Sequence, residues 1–263
     1  MRMIWRAMAI VTLTVIVACG ELTAQAVTIS IPSEILGTDR AVYVRLPVGY
    51  EMRSDFYPVL YFTDGEAIDR IAVPIVDSLA RAETIPEVIL VGIPHEDRRS
   101  DLTPTALQSR PGSGGGEEFF RFIAEELIPH IDATYRTRPT RVLYGHSLGG
   151  LFAAYAMVRD PGLFAGYIAS SPVISWDDWY VRELAAARFT TWEDRNTFLA
   201  LSVGADEEPR FVDAATEFAA WLEQNAPDSL RWSFRVYDDQ DHMSVWPHSL
   251  RDGLVGFFSQ PGR

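Results

Sequence analysis

Two hydrophobic periods alternate along this chain. Short apolar or every-other-residue runs mark strands, and segments with apolar residues three and four apart mark helices. Val27 to Ile31 and Ala41 to Leu46 flank a Gly-Thr-Asp turn and predict an antiparallel hairpin at one sheet edge. Tyr57 to Thr63 is a continuous apolar run, read as a buried strand ending in Asp64-Gly65-Glu66. Helical spacing over Ile68 to Arg81 precedes a second run, Glu87 to Ile93. Residues 95–116 read as a long polar loop, a length that usually carries function. Phe119, Ile123, Leu127 and Ile131 then predict a helix over Glu117 to Tyr135. Further strands are expected at Val142–Tyr144, Phe164–Ser170, Asn196–Val203 and Trp232–Tyr237, with helices after Ser147, over Phe211–Asn225 and over Ser249–Phe258. Strands alternating with helices imply an α/β fold, a mostly parallel sheet covered on both faces. No repeat, low-complexity stretch or linker divides residues 27–263, which read as one domain.

The pattern gives one stretch particular weight. Arg141-Val-Leu-Tyr-Gly-His-Ser-Leu-Gly-Gly150 places Gly-x-Ser-x-Gly between an apolar run and the small, apolar Leu151 to Met157. Strand, sharp turn and helix are the context of a nucleophile elbow, with the Ser147 hydroxyl raised above the sheet. A helix starting there directs its positive end at the reacting centre. Leu148, directly after the serine, offers one backbone N–H of an oxyanion hole, and the loop after Tyr57–Thr63 offers the other at Gly65 or Glu66.

A serine nucleophile needs a base and an orienting acid, which in such a sheet follow in the order Ser, acid, His at strand ends. The third strand after Ser147 runs into Asp238-Asp-Gln-Asp-His242, and the strand before it into Gly204-Ala-Asp-Glu-Glu208. His242 is therefore the candidate base, since imidazole can take the serine proton and return it near neutral pH. Glu207 is the candidate acid by its spacing from Gly204, ahead of Asp206 and Glu208, with Asp239 and Asp241 as outside candidates. His146, inside the elbow, reads as a packing residue; for His95, which follows a strand end, the mouth of the site is the lesser alternative. His130 and His248 read as structural or solvent-facing.

Composition narrows the chemistry. The net charge of -13 argues against nucleic acid or an anionic membrane as partner. Every basic residue is arginine, so lysine-dependent phosphate loops, Ser-Lys dyads and Schiff-base cofactors are excluded. Five scattered histidines and one cysteine show no metal-ligand spacing, and neither a metal nor a cofactor is expected. Residues 1–26 read as a signal peptide: Arg2 and Arg6, an apolar Met8–Ala18, then Ala24-Gln-Ala26. Ile16-Val-Ala-Cys19 also matches a bacterial lipobox, so cleavage and lipid anchoring at Cys19 stand as alternatives. Both imply export, periplasmic or secreted, and membrane attachment follows only from lipidation.

With these residues in view, the chain resembles the esterase-D-like branch of the α/β-hydrolases, and within it the siderophore-esterase-like (IroE-like) members. The likeness rests on Tyr57-Pro-Val-Leu-Tyr-Phe-Thr-Asp-Gly65, Arg99-Ser-Asp-Leu-Thr-Pro104, Glu125-Glu-Leu-Ile-Pro-His-Ile131, Gly145-His-Ser-Leu-Gly-Gly150, Val203-Gly-Ala-Asp-Glu207 and His242-Met-Ser-Val245. The resemblance implies Ser147 as nucleophile, His242 as base and Glu207 as acid, although some siderophore-esterase relatives work with a Ser-His dyad. About 25 residues separate the strand after the elbow from the next, too few for a large cap. Trp176, Trp179 and Tyr180 in that connection suit either an aromatic wall or packing over the sheet edge. Arg98 and Arg99 suit either an anionic substrate or a solvated loop. The expected function is an exported serine esterase acting through an acyl-enzyme on small-molecule esters, siderophore-type or otherwise bulky. An acyltransferase, or a non-catalytic binding protein on this scaffold, is the alternative.

Overall fold

A computed structural model describes residues 26–192 and 196–259. Apart from Ala26, the signal-peptide and lipobox readings, Cys19 included, concern residues outside these. The first hairpin forms as expected, β1 (Ala26–Ile31) pairing antiparallel with β2 (Arg40–Arg45). The parallel strands are β3 (Tyr57–Thr63), β4 (Ile89–Ile93), β5 (Thr137–His146), β6 (Gly166–Ser170), β7 (Phe198–Gly204) and β8 (Arg231–Tyr237). They form one eight-stranded sheet in the order β1-β2-β4-β3-β5-β6-β7-β8, with the β1–β2 and β2–β4 pairs antiparallel. Chain order reverses between β3 and β5, and the crevice beyond the carboxyl ends at such a point is where ligands bind in open α/β sheets.

Alternation along the buried strands feeds two cores. Tyr61, Leu143, Tyr167 and Leu199 point to one face; Leu60, Phe62, Val142, Tyr144 and Ile168 point to the other. The first face is covered by α3 (Gly116–Arg121), α4 (Ile128–Thr134), α5 (Leu148–Arg159), α6 (Trp176–Phe189) and α7 (Pro209–Asn225). The second is covered by α1 (Val73–Arg81) and α8 (Val245–Phe258). Each large apolar side chain buried here contributes roughly 1.5–3 kcal/mol, so an all-buried strand such as β3 needs no polar face.

Five segments differ from the sequence expectation. The helices expected over Ile68–Arg81 and Glu117–Tyr135 each contain a π-helical stretch, Ile68–Ala72 and Phe122–Leu127, before the regular α1 and α4. In both, a proline follows closely, Pro74 and Pro129. Proline has no N–H to donate and its ring crowds the carbonyl four residues back, so the preceding turn widens. The expected loop 95–116 holds a short helix, α2 (Arg98–Leu102), because the Asp97 carboxylate accepts the Arg99 and Ser100 amides at 3.0 and 3.1 Å. Helix α6 was not expected; it buries Trp176, Val181 and Ala185 and packs Leu184 and Phe189 against the first core, while Asp178, Glu183 and Arg188 stay exposed. Helix α8 starts at Val245 rather than Ser249, because Val245 and Trp246 are already buried against the second core.

Candidate active site

Strand β5 ends at His146, and Ser147 turns the chain into α5 at φ 59°, ψ -115°. A non-glycine residue there carries roughly 1–3 kcal/mol of strain. The surroundings hold it: the Ser147 amide donates to the Ser170 carbonyl at 2.9 Å, and the Ser147 carbonyl accepts from Leu151 at 3.0 Å and Val173 at 3.3 Å. The turn is tight enough that a Cβ on Gly145 would lie 2.0 Å from the Gly149 carbonyl oxygen. The Leu148 amide is the first of α5 and has no carbonyl of its own helix to bond.

Parallel register brings the ends of β5, β6, β7 and β8 into one row, His146 opposite Ser170, Ser170 opposite Ser202, and Gly204 opposite Tyr237. The loops after β7 and β8 therefore meet beside the elbow. There His242 Nδ1 lies 2.6 Å from Glu207 Oε2, the His242 side chain 29% exposed and the Glu207 carboxyl fully buried. Glu207 Oε1 accepts from Ser171 Oγ at 2.5 Å and from the Gly204 amide at 2.7 Å. Burial alone would push this carboxyl's pKa up. The bonds from His242, Ser171 and Gly204 outweigh it and hold the group below the usual glutamate value. A buried anion facing Nδ1 fixes the proton there and leaves Nε2 as the free, basic nitrogen. Asp206 and Glu208 both point to solvent, Glu208 pairing with Arg210 at 2.9 Å.

His146 joins the serine to the histidine loop. Its buried ring lies between those of His242 and Trp246, with centroids 4.5 and 4.3 Å away, and its Nε2–H donates to the His242 carbonyl at 2.7 Å. Burial, reinforced by neighbouring His242 and Arg98, lowers its pKa to about 2, so the ring stays neutral and keeps that donor. On the other side of His242 lies Phe211, 4.6 Å between centroids.

The loop after β3 carries Gly65, buried, and Glu66, exposed, on a 3-10 turn entered through Asp64 in the left-handed region. Arg98 serves this loop and is not among the residues that line the cavity beside Leu148. Its guanidinium grips both carboxylate oxygens of Asp64 and donates to the His146 carbonyl at 3.0 Å. His95 is not at the mouth; its side chain is 3% exposed, behind Asp64. His130 is exposed, and the His248 ring packs on Tyr237.

A cavity of about 420 Å³ opens beside Leu148 and Phe211. Its floor is apolar (Leu107, Val173, Trp176), and its rim holds Arg99, Arg110 and Arg210 against one carboxylate, Asp177. Arg99 donates to the Pro111 carbonyl at 3.0 Å. The Arg110 guanidinium has no ion-pair or hydrogen-bond partner among the described residues. Trp176 is anchored by its indole N–H on Thr105 Oγ1 at 3.0 Å, whereas Trp179 lies outside the cavity under the Arg182 guanidinium. Sequence reasoning missed Ser171, Phe211, Arg110 and Arg210. Only Ser171 had a signal, since it directly follows the strand next to the elbow.

A mostly parallel sheet with a strained serine at a strand–helix elbow, a histidine on a buried carboxylate and no large cap defines an α/β-hydrolase, here a serine hydrolase of carboxylic esters. Residues 33–256 match the "Putative esterase" family, and the chain belongs to it. It is 32% identical over 237 residues to the siderophore triacetylfusarinine C esterase of Aspergillus fumigatus, covering 76% of this chain and 81% of that one. It is 30% identical over 218 residues to the ferri-bacillibactin esterase of Bacillus subtilis, covering 73% and 75%. Among solved structures, the IroE-like serine hydrolase of Shewanella oneidensis superposes with a TM-score of 0.84 at 29% identity, over 89% of this chain and 80% of that one.

Proposed function

We propose that Ser147, His242 and Glu207 form a catalytic triad that hydrolyses bulky, anionic esters of the siderophore type through an acyl-enzyme, after export. The observation that carries this is the 2.6 Å contact of His242 with a carboxylate that is buried, doubly held and adjacent to a strained elbow serine. Ser147 Oγ attacks the ester carbonyl while His242 Nε2 takes its proton. The Leu148 amide and those of Gly65 or Glu66 receive the oxyanion. Collapse expels the alcohol, which takes the proton from His242 and leaves the acyl group on Ser147. A water molecule, deprotonated by His242, then attacks the acyl-enzyme and releases the acid. Glu207 orients the imidazole and stabilises its cation without taking the proton.

The substrate reading rests on two supports. One is the arginine rim over an apolar floor, which suits an anionic aromatic or polyester substrate. The other is the kinship with relatives named as siderophore esterases. A panel of short-acyl, feruloyl, acetyl-xylan and metal-loaded or metal-free catecholate trilactone esters tests it, the trilactones being the expected best substrates. Ser147→Ala should abolish both turnover and fluorophosphonate labelling, and residual labelling would overturn the nucleophile assignment. Sequencing the amino terminus of the mature protein, with a palmitate label, tests export and decides between cleavage at Ala26 and lipidation at Cys19.

A further inference from the structure

We infer that Arg98, backed by His95, is a positioning residue that holds the two halves of the oxyanion hole in register. The inference rests on the oxyanion hole proposed above and reassigns Arg98 from a substrate contact to a clamp within the enzyme.

The two halves come from different parts of the chain: Leu148 from the elbow and Gly65–Glu66 from the loop after β3. Nothing in local sequence fixes their separation. Asp64, the residue before the second half, sits at φ 59°, ψ 52°, a conformation that a non-glycine residue keeps only when its surroundings determine it. Each polar group of Asp64 is held. Its carbonyl accepts the Ala67 amide at 2.9 Å, its carboxylate takes both donors of the Arg98 fork, and its amide donates to His95 Nε2 at 3.3 Å. The same Arg98 Nη2 that reaches Asp64 also donates to the His146 carbonyl, one residue before the nucleophile. One rigid guanidinium therefore spans from the loop to the elbow, a geometry that a lysine could not reproduce.

His95 completes the device from behind. Its Nδ1 faces Asp101 Oδ2 at 3.0 Å, a pure acceptor, so Nδ1 carries the hydrogen and Nε2 is left as the acceptor that the Asp64 amide requires. Asp101 is fixed in turn by the buried Arg40 at 2.7 Å. Every polar contact is complementary in only one tautomer of His95. On the far side, Gly65 is packed so closely on β4 that a Cβ would lie 2.7 Å from Gly92 and Ile93 backbone atoms, so the loop cannot shift toward the sheet.

The test uses the full-length enzyme and a neutral ester, p-nitrophenyl butyrate, on which Arg98 has no charge to recognise. Arg98→Met is expected to lower kcat by about 10²-fold, the usual effect of misplacing reacting groups by an ångström, with KM changed less than about threefold. Affinity for an alkyl boronic acid, whose tetrahedral adduct on serine places an oxygen in the hole, should fall by the same factor as kcat/KM. Asp64→Asn should reproduce part of the loss, and Asp64→Asn with Arg98→Met should be no worse than Arg98→Met alone, since the two act as one unit. His95→Ala should lower kcat, and His95→Gln, which presents an acceptor oxygen near the place of Nε2, should recover most of it. Unfolding midpoints identify any variant that fails to fold, in which case Asp64→Asn, nearly identical in shape, carries the same expectation. Unchanged kcat and boronate affinity in a folded Arg98→Met, or a rise in KM alone, would overturn the inference while leaving the triad intact. Turnover retained by Ser147→Ala would instead overturn the triad, and this inference with it.

Discussion

Gly204, the last residue of β7, and Gln240, two residues before His242, meet backbone against backbone. A Cβ on Gly204 would lie 2.2 Å from the Gln240 carbonyl oxygen, the same oxygen that accepts the Asp206 amide at 3.0 Å. This contact sets how closely the acid loop and the base loop approach, and therefore the 2.6 Å between Glu207 and His242.

Gly204→Ala should separate those loops. The expected result is a fall in kcat of roughly 10²-fold and a loss of about 1–3 kcal/mol in stability from overpacking. Steady-state kinetics and urea denaturation check it, and a variant with wild-type kcat would mean that the loops adjust independently.

The acid is identified by comparison among neighbours. Glu207→Gln keeps the shape and removes the charge, and should lower kcat by about 10⁴-fold, as loss of the orienting carboxylate does in other triads. Asp206→Ala and Glu208→Ala, both on solvent-facing side chains, should leave turnover within about twofold. A Glu207→Gln enzyme with near-normal turnover would favour a Ser-His dyad. Ser171→Ala removes one of three bonds to the same carboxylate and should cost on the order of 1 kcal/mol in stability, with a smaller kinetic loss.

His146 predicts an acid-sensitive fold. Its pKa falls from 6.5 unfolded to about 2 folded, so the unfolded chain binds the proton first. Stability from this group is complete above pH 6.5 and is lost as pH falls from 6.5 toward 2, by about 1.4 kcal/mol per pH unit. Glu207, held below its ordinary value, acts in the same direction but only below pH 4.5. His146→Gln keeps a donor for the His242 carbonyl and removes the titration. Its urea midpoint should therefore depend less steeply on pH than that of the wild type between pH 6 and 5.

Arg110 is the guanidinium on the cavity rim with neither an ion pair nor a hydrogen bond among the described residues. Arg110→Glu should lower kcat/KM for an anionic ester relative to a neutral one by about tenfold, and rising salt should narrow the same ratio in the wild type. An unchanged ratio would place the anion elsewhere.

The sheet, the elbow and the order of Ser147, Glu207 and His242 at strand ends are all legible in the order of residues alone. Those features follow from local chemistry: continuous apolar runs make buried strands, and glycine-flanked serine between strand and helix makes the turn. Glu207 could be preferred over Asp206 and Glu208 by its spacing, but three consecutive acids look alike until the Gly204 turn buries one and exposes two. The π-helical turns were legible only as prolines, since their widening depends on what the preceding carbonyl can still bond. Helix α6 was hidden because its core-facing residues, Trp176, Val181, Leu184, Ala185 and Phe189, are interleaved with charged ones and declare themselves only against the face they pack on. Arg98 and His95 changed most between sequence and structure. A string of residues shows a charge or a ring, whereas the partner 34, 48 or 31 positions away is supplied by the fold alone. Tertiary structure therefore decided which arginine faces the cavity and which one joins the β3 loop to the elbow, because both roles depend on distances between strand ends that no local pattern encodes.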